Sequence, residues 1–237
     1  MQKLISIVTP CFNEEQNIAI LCRKVKEILF KLNYSYEHIV IDNKSTDKTR
    51  EILRSLALED KNLKLIFNNK NYGHIRSPYH AIMESNGDAT ILISADFQDP
   101  LELIPDLISK WENGSNVVML KRKSSSENFI MKTIRNSFYG FISKISETKL
   151  TKNTTGSGIY DKEVISNLKK IKDPYPYFRG LVSEFTDSID TIEFHQPTRK
   201  FGKTKNNFFS LYDIAILGII KHSKFPIRAM IMFGFFF

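Results

Sequence analysis

Residues 4–15, Leu-Ile-Ser-Ile-Val-Thr-Pro-Cys-Phe-Asn-Glu-Glu, decide the fold. The apolar run over 4–9 is too short for a helix and is stopped by Pro10, so it predicts a buried strand opening into a polar turn. Immediately beyond it, Ile18, Leu21, Cys22, Val25, Ile28, Leu29 and Leu32 recur at helical spacing, and Asn13 with Gln16 offers a capping box. A strand feeding an amphipathic helix is half of a βαβ unit. The same rhythm continues, with strands expected over 38–42, 63–67, 90–94 and 117–120. Helices are expected after Ser45-Thr46, from Ser77-Pro78 to before Gly87, and from 102 to 113 with Gly114 as the stop. The expectation is an α/β protein whose mostly parallel central sheet is flanked by helices. Right-handed crossovers bring the C-terminal strand ends to one edge, where such sheets bind ligands.

Beyond residue 120 the rhythm changes. A basic cluster, Lys121-Arg122-Lys123, leads to a helix expected over 128–148, a loop over 151–158 and a helix near 162–171. The turn-rich Asp173-Pro174-Tyr175-Pro176 precedes a short strand at 189–194 and a basic, glycine-containing loop over 199–205. Residues 207–222 read as an amphipathic helix with Phe208, Leu211, Tyr212, Ala215, Gly218 and Ile219 along one side. After Pro226 an apolar run fills 229–237; nine residues do not cross a bilayer, which takes about 20. It therefore reads as an interfacial tail or as the first part of a longer membrane segment.

Composition narrows the class. With 237 residues, 42% hydrophobic and 25% charged, the chain has enough apolar surface for one large domain and is neither disordered nor fibrous. Cys11 and Cys22 are too few for a disulfide framework, which suits a reducing, cytosolic setting. The net charge of +8 is uneven: residues 1–118 carry −2 and residues 119–237 carry +10. Such asymmetry points the second half toward a polyanion or a membrane surface. Nucleic acid would explain the basic half but not the acidic turns of the first.

Those turns are where chemistry converges. Pro10-Cys11-Phe12-Asn13-Glu14-Glu15 follows the first strand, Asp42-Asn43-Lys44-Ser45-Thr46-Asp47 the second, and Ser94-Ala95-Asp96-Phe97-Gln98-Asp99-Pro100 the fourth. Any one of them is ordinary turn chemistry. Three at corresponding positions build a crevice for a cation and a polar ligand. The dinucleotide fingerprint G-x-G-x-x-G is absent, and the five histidines lack metal-ligand spacing. Oxygen donors such as Asp96, Gln98 and Asp99 instead suit Mg²⁺ or Mn²⁺.

In order and spacing, these three turns resemble the signature turns of family 2 glycosyltransferases, which adopt the GT-A fold. In the second half, Tyr177-Phe178-Arg179-Gly180-Leu181, the stretch from Arg199 to Gly202-Lys203, and Leu211-Tyr212-Asp213 through Pro226-Ile227-Arg228 are similar to the polyprenyl-phosphate glycosyltransferases. The resemblance implies a single catalytic domain over 1–206, with a nucleotide and metal half at 1–118 and an acceptor half at 119–206. Juxtamembrane helices and the start of a truncated membrane segment would follow at 207–237. Pro10, Phe12, Glu14, Asp42, Asn43, Ser94 and Ala95 would line the nucleotide sugar, UDP- or GDP-linked. Asp96, Gln98 and Asp99 would serve the reaction, with Asp96 and Gln98 on the metal.

Two departures from the family pattern stand out: Ser94 replaces the first carboxylate of D-x-D, and Asn43 replaces the second acidic residue of D-D-G-S. Fewer charges weaken cation binding. The implied reaction is an inverting displacement of nucleoside diphosphate by a polyprenyl phosphate at the cytoplasmic face of the cell membrane. Arg122, Arg135 and Arg179 would grip the acceptor phosphate, since a guanidinium binds it through two parallel hydrogen bonds. Lys121, Lys123 and Lys132 would add attraction to anionic headgroups, although Lys132 and Lys144 read better as solvated helix positions, and the loop bearing Arg199 and Lys203 would close over donor. Two alternatives stay open: a soluble transferase acting on a glycan or lipopolysaccharide hydroxyl, with Glu184 or Asp99 as base, and a sugar-nucleotide-binding protein without turnover. A homo-oligomer is compatible with all three.

Overall fold

The computed structural model describes residues 2–123, 154–186, 188–197 and 208–236. In chain order the first half runs β1 (Leu4–Cys11), α1 (Ile18–Lys31), β2 (Ser35–Asp42), α2 (Thr49–Glu59), β3 (Leu63–Phe67), α3 (Gly73–Met83) and β4 (Ala89–Leu92). A 3₁₀ turn at Leu101–Leu103 leads into α4 (Ile104–Glu112) and β5 (Val117–Arg122). The second half contributes β6 (Thr154–Asp161), α5 (Lys162–Lys169), α6 (Phe178–Phe185), β7 (Asp190–Phe194), α7 (Phe208–His222) and α8 (Phe225–Phe236).

The seven described strands form one sheet in the order β3-β2-β1-β4-β6-β5-β7. Every pairing is parallel except those of β6, which runs against β4 and β5. The sheet is covered on both faces, which is why β1 and the Ile39–Ile41 part of β2 read as apolar runs. Ile5 and Ile7 of β1 pack with Leu21, Val25 and Leu29 of α1 and with Leu107, Ile108 and Trp111 of α4. Val8, Ile39 and Ile41 pack on the other face with Ile82 of α3, Ile165 of α5 and Leu181 of α6.

Three sequence expectations are corrected. The loop expected over 151–158 is largely strand β6. Its glycines read as turn signals, yet Gly158 is required by close approach: a Cβ there would lie 2.2 Å from the Val118 carbonyl oxygen. Helix α3 begins at Gly73, not at Ser77-Pro78, and Pro78 sits in its second turn. The capping box of Asn13 and Gln16 does not form. Helix α1 starts at Ile18, and Asn13 adopts a left-handed conformation, φ 56°, with its side chain turned to a neighbouring loop. The helix expected over 128–148 and the loop at 199–205 lie outside the described residues.

Helix α8 leaves most of its apolar side chains in solvent, with Met230, Phe233 and Phe235 at least two-thirds exposed. Tyr212 of α7, on the apolar side read from the sequence, is also exposed. Among the described residues no helix is long and apolar enough to cross a membrane.

Candidate functional site

The C-terminal ends of β1, β2 and β4 carry the three polar turns to one edge, and hydrogen bonds knit them together. Asn13 donates its backbone N–H to Ser45 Oγ at 2.8 Å, and its Oδ1 accepts the Thr46 N–H at 2.8 Å. The Glu14 N–H reaches Thr49 Oγ1 at 2.9 Å, and the Lys48 N–H reaches Glu15 Oε2 at 3.0 Å. Pro10, Phe12 and Glu14 are half-buried along this seam. The first two turns therefore form one rigid wall.

Asp42, at the end of β2, is fully buried. Its carboxylate accepts the Ser45 N–H and the Arg50 Nε–H, while a second nitrogen of Arg50 donates to the Asn68 carbonyl. A buried charge persists when it is paired and hydrogen-bonded in this way. Asn43 does the work of a connector. Its Nδ2 donates to Asn71 Oδ1 at 2.8 Å and to the Gly73 carbonyl, and its Oδ1 accepts the Tyr72 N–H at 2.9 Å and Asn68 Nδ2 at 3.1 Å. An amide supplies both donors and acceptors, and a carboxylate could not make the same four bonds. Asn43 thus fixes the segment after β3 and sets where α3 begins, with Asn71 also accepting the Gly73 N–H.

The third turn is built around Asp99, which is 4% exposed. Its Oδ2 accepts the Ser94 N–H at 3.0 Å, Ser94 Oγ at 2.6 Å and, from β6, Ser157 Oγ at 2.7 Å. Ser94 therefore holds Asp99 in a position where it ties β4 to β6. Ala95 is buried, and Phe97 is held at φ 58°. Between them Asp96, 8% exposed, accepts the Gln98 N–H at 3.1 Å. The donors here are a carboxylate and an amide, oxygen only, which fits a hard divalent ion completed by phosphate oxygens and water. Among the described residues no three acidic, histidine or cysteine side chains cluster as a protein-only metal cage.

Across the edge, β6 starts where β5 ends, so the second half contributes arginines to the same rim. Arg122 is the last residue of β5, and its Nε is buried without a hydrogen-bond partner among the described residues. Arg179 of α6 donates to the Thr154 carbonyl at 2.8 Å, its stem passes Gly156, and its guanidinium stacks 5.5 Å from the Tyr177 ring. Thr154 is the strand partner of Lys121, next to Arg122, so both arginines flank the mouth between β5 and β6. Lys121 pairs with Glu193 at 2.8 Å. Glu184 bonds His222 at 2.8 Å. Arg135, Lys132, Lys144, Arg199 and Lys203 lie outside the described residues.

Burial governs protonation around the crevice. Desolvation, and secondarily the Asp42 charge, pushes the Cys11 thiol well up, and desolvation pushes Cys22 to about 12. Both cysteines are inert packing residues at neutral pH. Sequence reasoning missed Arg50, Asn68, Asn71 and Ser157. Each acts on a predicted residue from a distant turn, strand or helix, so no local pattern marks it.

Comparison with known proteins agrees with this architecture. The bactoprenol glucosyl transferase of Shigella phage SfV is 31% identical over 233 residues, covering 98% of this chain and 76% of that protein. The prophage bactoprenol glucosyl transferase homolog of Escherichia coli K12 is 32% identical over 231 residues, covering 97% and 76%. Among solved structures, glucosyl-3-phosphoglycerate synthase of Mycobacterium tuberculosis, determined with Mn²⁺, UDP and phosphoglyceric acid, matches with a TM-score of 0.61 at 17% identity over 92% of this chain and 76% of that one. Mannosyl-3-phosphoglycerate synthase of Rubrobacter xylanophilus matches with a TM-score of 0.56 at 14% identity, covering 92% and 73%. The fold is the GT-A glycosyltransferase fold. Residues 6–168 match the pattern of Glycosyl transferase family 2, and the chain belongs to that family.

Proposed function

We propose that this glycosyltransferase moves a sugar from a UDP- or GDP-linked donor to a polyprenyl phosphate, with inversion, at the cytoplasmic face of the cell membrane. The observation that carries the reading is the pair of arginines at the β5–β6 mouth: Arg122, whose buried Nε has no hydrogen-bond partner among the described residues, and Arg179, whose guanidinium is anchored on the Thr154 carbonyl. An orphaned buried donor is costly unless a ligand completes it, and a phosphate oxygen is a matching acceptor. The similarity to bactoprenol glucosyl transferases supports the same acceptor class.

On this reading Pro10, Phe12, Glu14 and Asp42 shape the seat of the base and ribose, with Asn43 and Ser94 holding the walls. Asp96 and Gln98 would hold Mg²⁺ or Mn²⁺, which when bound supplies charge neutralisation at the diphosphate leaving group. A phosphate acceptor is anionic at neutral pH, so the chain needs to orient it rather than deprotonate it. The two carboxylates considered as bases for a hydroxyl acceptor are both engaged, Asp99 by serines and Glu184 by His222. Exposed Phe233 and Phe235 on α8, with Lys224 and Arg228 nearby in sequence, suit contact with an anionic lipid surface.

The test is to supply membranes carrying the enzyme with labelled UDP- or GDP-sugar and Mn²⁺. An organic-soluble, mild-acid-labile sugar lipid is expected. It should be lost on chelation and reduced by about two orders of magnitude in Asp96→Asn at unchanged folding. Label confined to water-soluble glycan would overturn the polyprenyl acceptor.

A further inference from the structure

The last turn of α7 makes two consecutive side-chain contacts to acidic residues that straddle α6. Lys221 Nζ lies 2.8 and 2.9 Å from the two carboxylate oxygens of Asp173, ahead of α6. His222 Nδ1 lies 2.8 Å from Glu184 Oε1, in the last turn of α6. The two partners frame the whole stretch from which Arg179 projects.

His222 is not a surface residue. Its side chain is 2% exposed, whereas that of Glu184 is 43% exposed. The imidazole lies against the backbone of α6, where a Cβ at position 180 would come within 2.0 Å of His222 Nε2, so only Gly180 admits the ring. The Tyr177 and His222 rings are 5.4 Å apart, and Gly218, one turn earlier on α7, lies beside Tyr177: a Cβ there would touch its ring at 3.4 Å. Tyr177 in turn is the ring over which the Arg179 guanidinium stacks. Arg179 is therefore held from two sides, by the Thr154 carbonyl of β6 and by a column of Tyr177, His222 and Gly218 rooted in α7.

We infer that Lys221 and His222 are positioning residues for the phosphate-bearing acceptor: they staple α7 across α6 and so fix the direction of the Arg179 guanidinium at the β5–β6 mouth. This rests on the acceptor-phosphate reading of Arg179 given above. Helix α7 is then part of the acceptor site rather than only a link to the apolar helix that follows. Each arm is part-exposed, through Lys221 in one and Glu184 in the other, and the buried His222 ring adds packing against α6 to its hydrogen bond. Shape and hydrogen bonding separate at His222. Phenylalanine fills the same space without a donor to Glu184, and asparagine places a donor near the Nδ1 position.

The experiment compares wild type, His222→Phe, His222→Asn and the exposed-site variant Glu184→Gln. It uses steady-state kinetics with polyprenyl phosphate and nucleotide sugar, together with amide exchange of the full chain. In His222→Phe the acceptor KM is expected to rise about tenfold with the donor KM within about twofold, in Glu184→Gln by a smaller factor, and in His222→Asn to return toward wild type. Equal changes in both KM values, or no change in either, would overturn the inference. Should wild type not use polyprenyl phosphate, the functional reading fails and exchange decides the staple. Protection across 178–185 is expected to fall about fivefold in His222→Phe and to recover in His222→Asn. Unchanged protection in His222→Phe would overturn it.

Discussion

Ser157 donates to Asp99 at 2.7 Å, and through that bond the turn after β4 is fastened to the one strand that runs against its neighbours. Because Ser94 donates to the same oxygen, Asp99 is the rivet of the third turn. Asp99→Ala strands two hydroxyls and is expected to lower unfolding free energy by about 2–5 kcal/mol, measured by denaturant titration. Asp99→Asn keeps an acceptor and should retain most stability. Measurable turnover in the Asn variant would assign Asp99 to holding the turn, whereas complete loss at full stability would assign it to the reacting atoms.

Arg50 is the counter-charge of Asp42. Asp42 has no solvent exposure, so Arg50→Ala leaves a buried carboxylate without its cation. A loss of about 3–5 kcal/mol is expected, with weakened donor binding in calorimetry because Asp42 closes the second turn. Arg50→Lys should recover only part, since a lysine cannot reach both Asp42 and the Asn68 carbonyl through one planar fork.

His38 makes the fold sensitive to acid. It is buried in β2, bonded to Thr9 Oγ1 at 2.9 Å, and desolvation lowers its pKa from 6.5 to about 4. The unfolded chain therefore binds this proton more readily than the folded one. The neutral ring carries no penalty above pH 6.5, and stability falls progressively as pH drops from there to about 4, by roughly 3 kcal/mol in all. Denaturation midpoints between pH 7 and pH 4 should slope more gently in His38→Gln.

Gly158 is fixed by its neighbours. Gly158→Ala would drive a methyl to 2.2 Å from the Val118 carbonyl at a φ of 153°, and neither backbone can yield without breaking the β5–β6 ladder. A loss of about 3 kcal/mol or more, or failure to accumulate as folded protein, is expected in thermal unfolding. Gly114→Ala is the control: its Cβ would meet nothing within 4 Å, so only the φ of 101° is strained and the loss should be smaller.

The parallel half of the molecule was legible because its strands are apolar runs of the right length and its helices carry clear 3.6-residue periodicity. Strand β6 was not, because Thr154-Thr155-Gly156-Ser157-Gly158 has turn composition, and only the proximity of β5 makes those glycines strand residues. The start of α3 was misjudged for a related reason. Ser77-Pro78 is the stronger local signal, but Asn43 and Asn71, neither adjacent to it, pin the helix at Gly73. The turn residues of the crevice could be named from sequence. Which of them hold the walls and which face the ligand depends on hydrogen bonds between segments about thirty residues apart.

The reversed direction of β6 has a consequence for how such a protein can change. Lys121 and Thr154 are strand partners, so the interval between them departs from and rejoins the scaffold at neighbouring points on the crevice rim. Its two attachment points are already spliced together by the sheet. A substitution at either strand end is therefore transmitted across the ladder, from Lys121 to Thr154 and through the Thr154 carbonyl to Arg179.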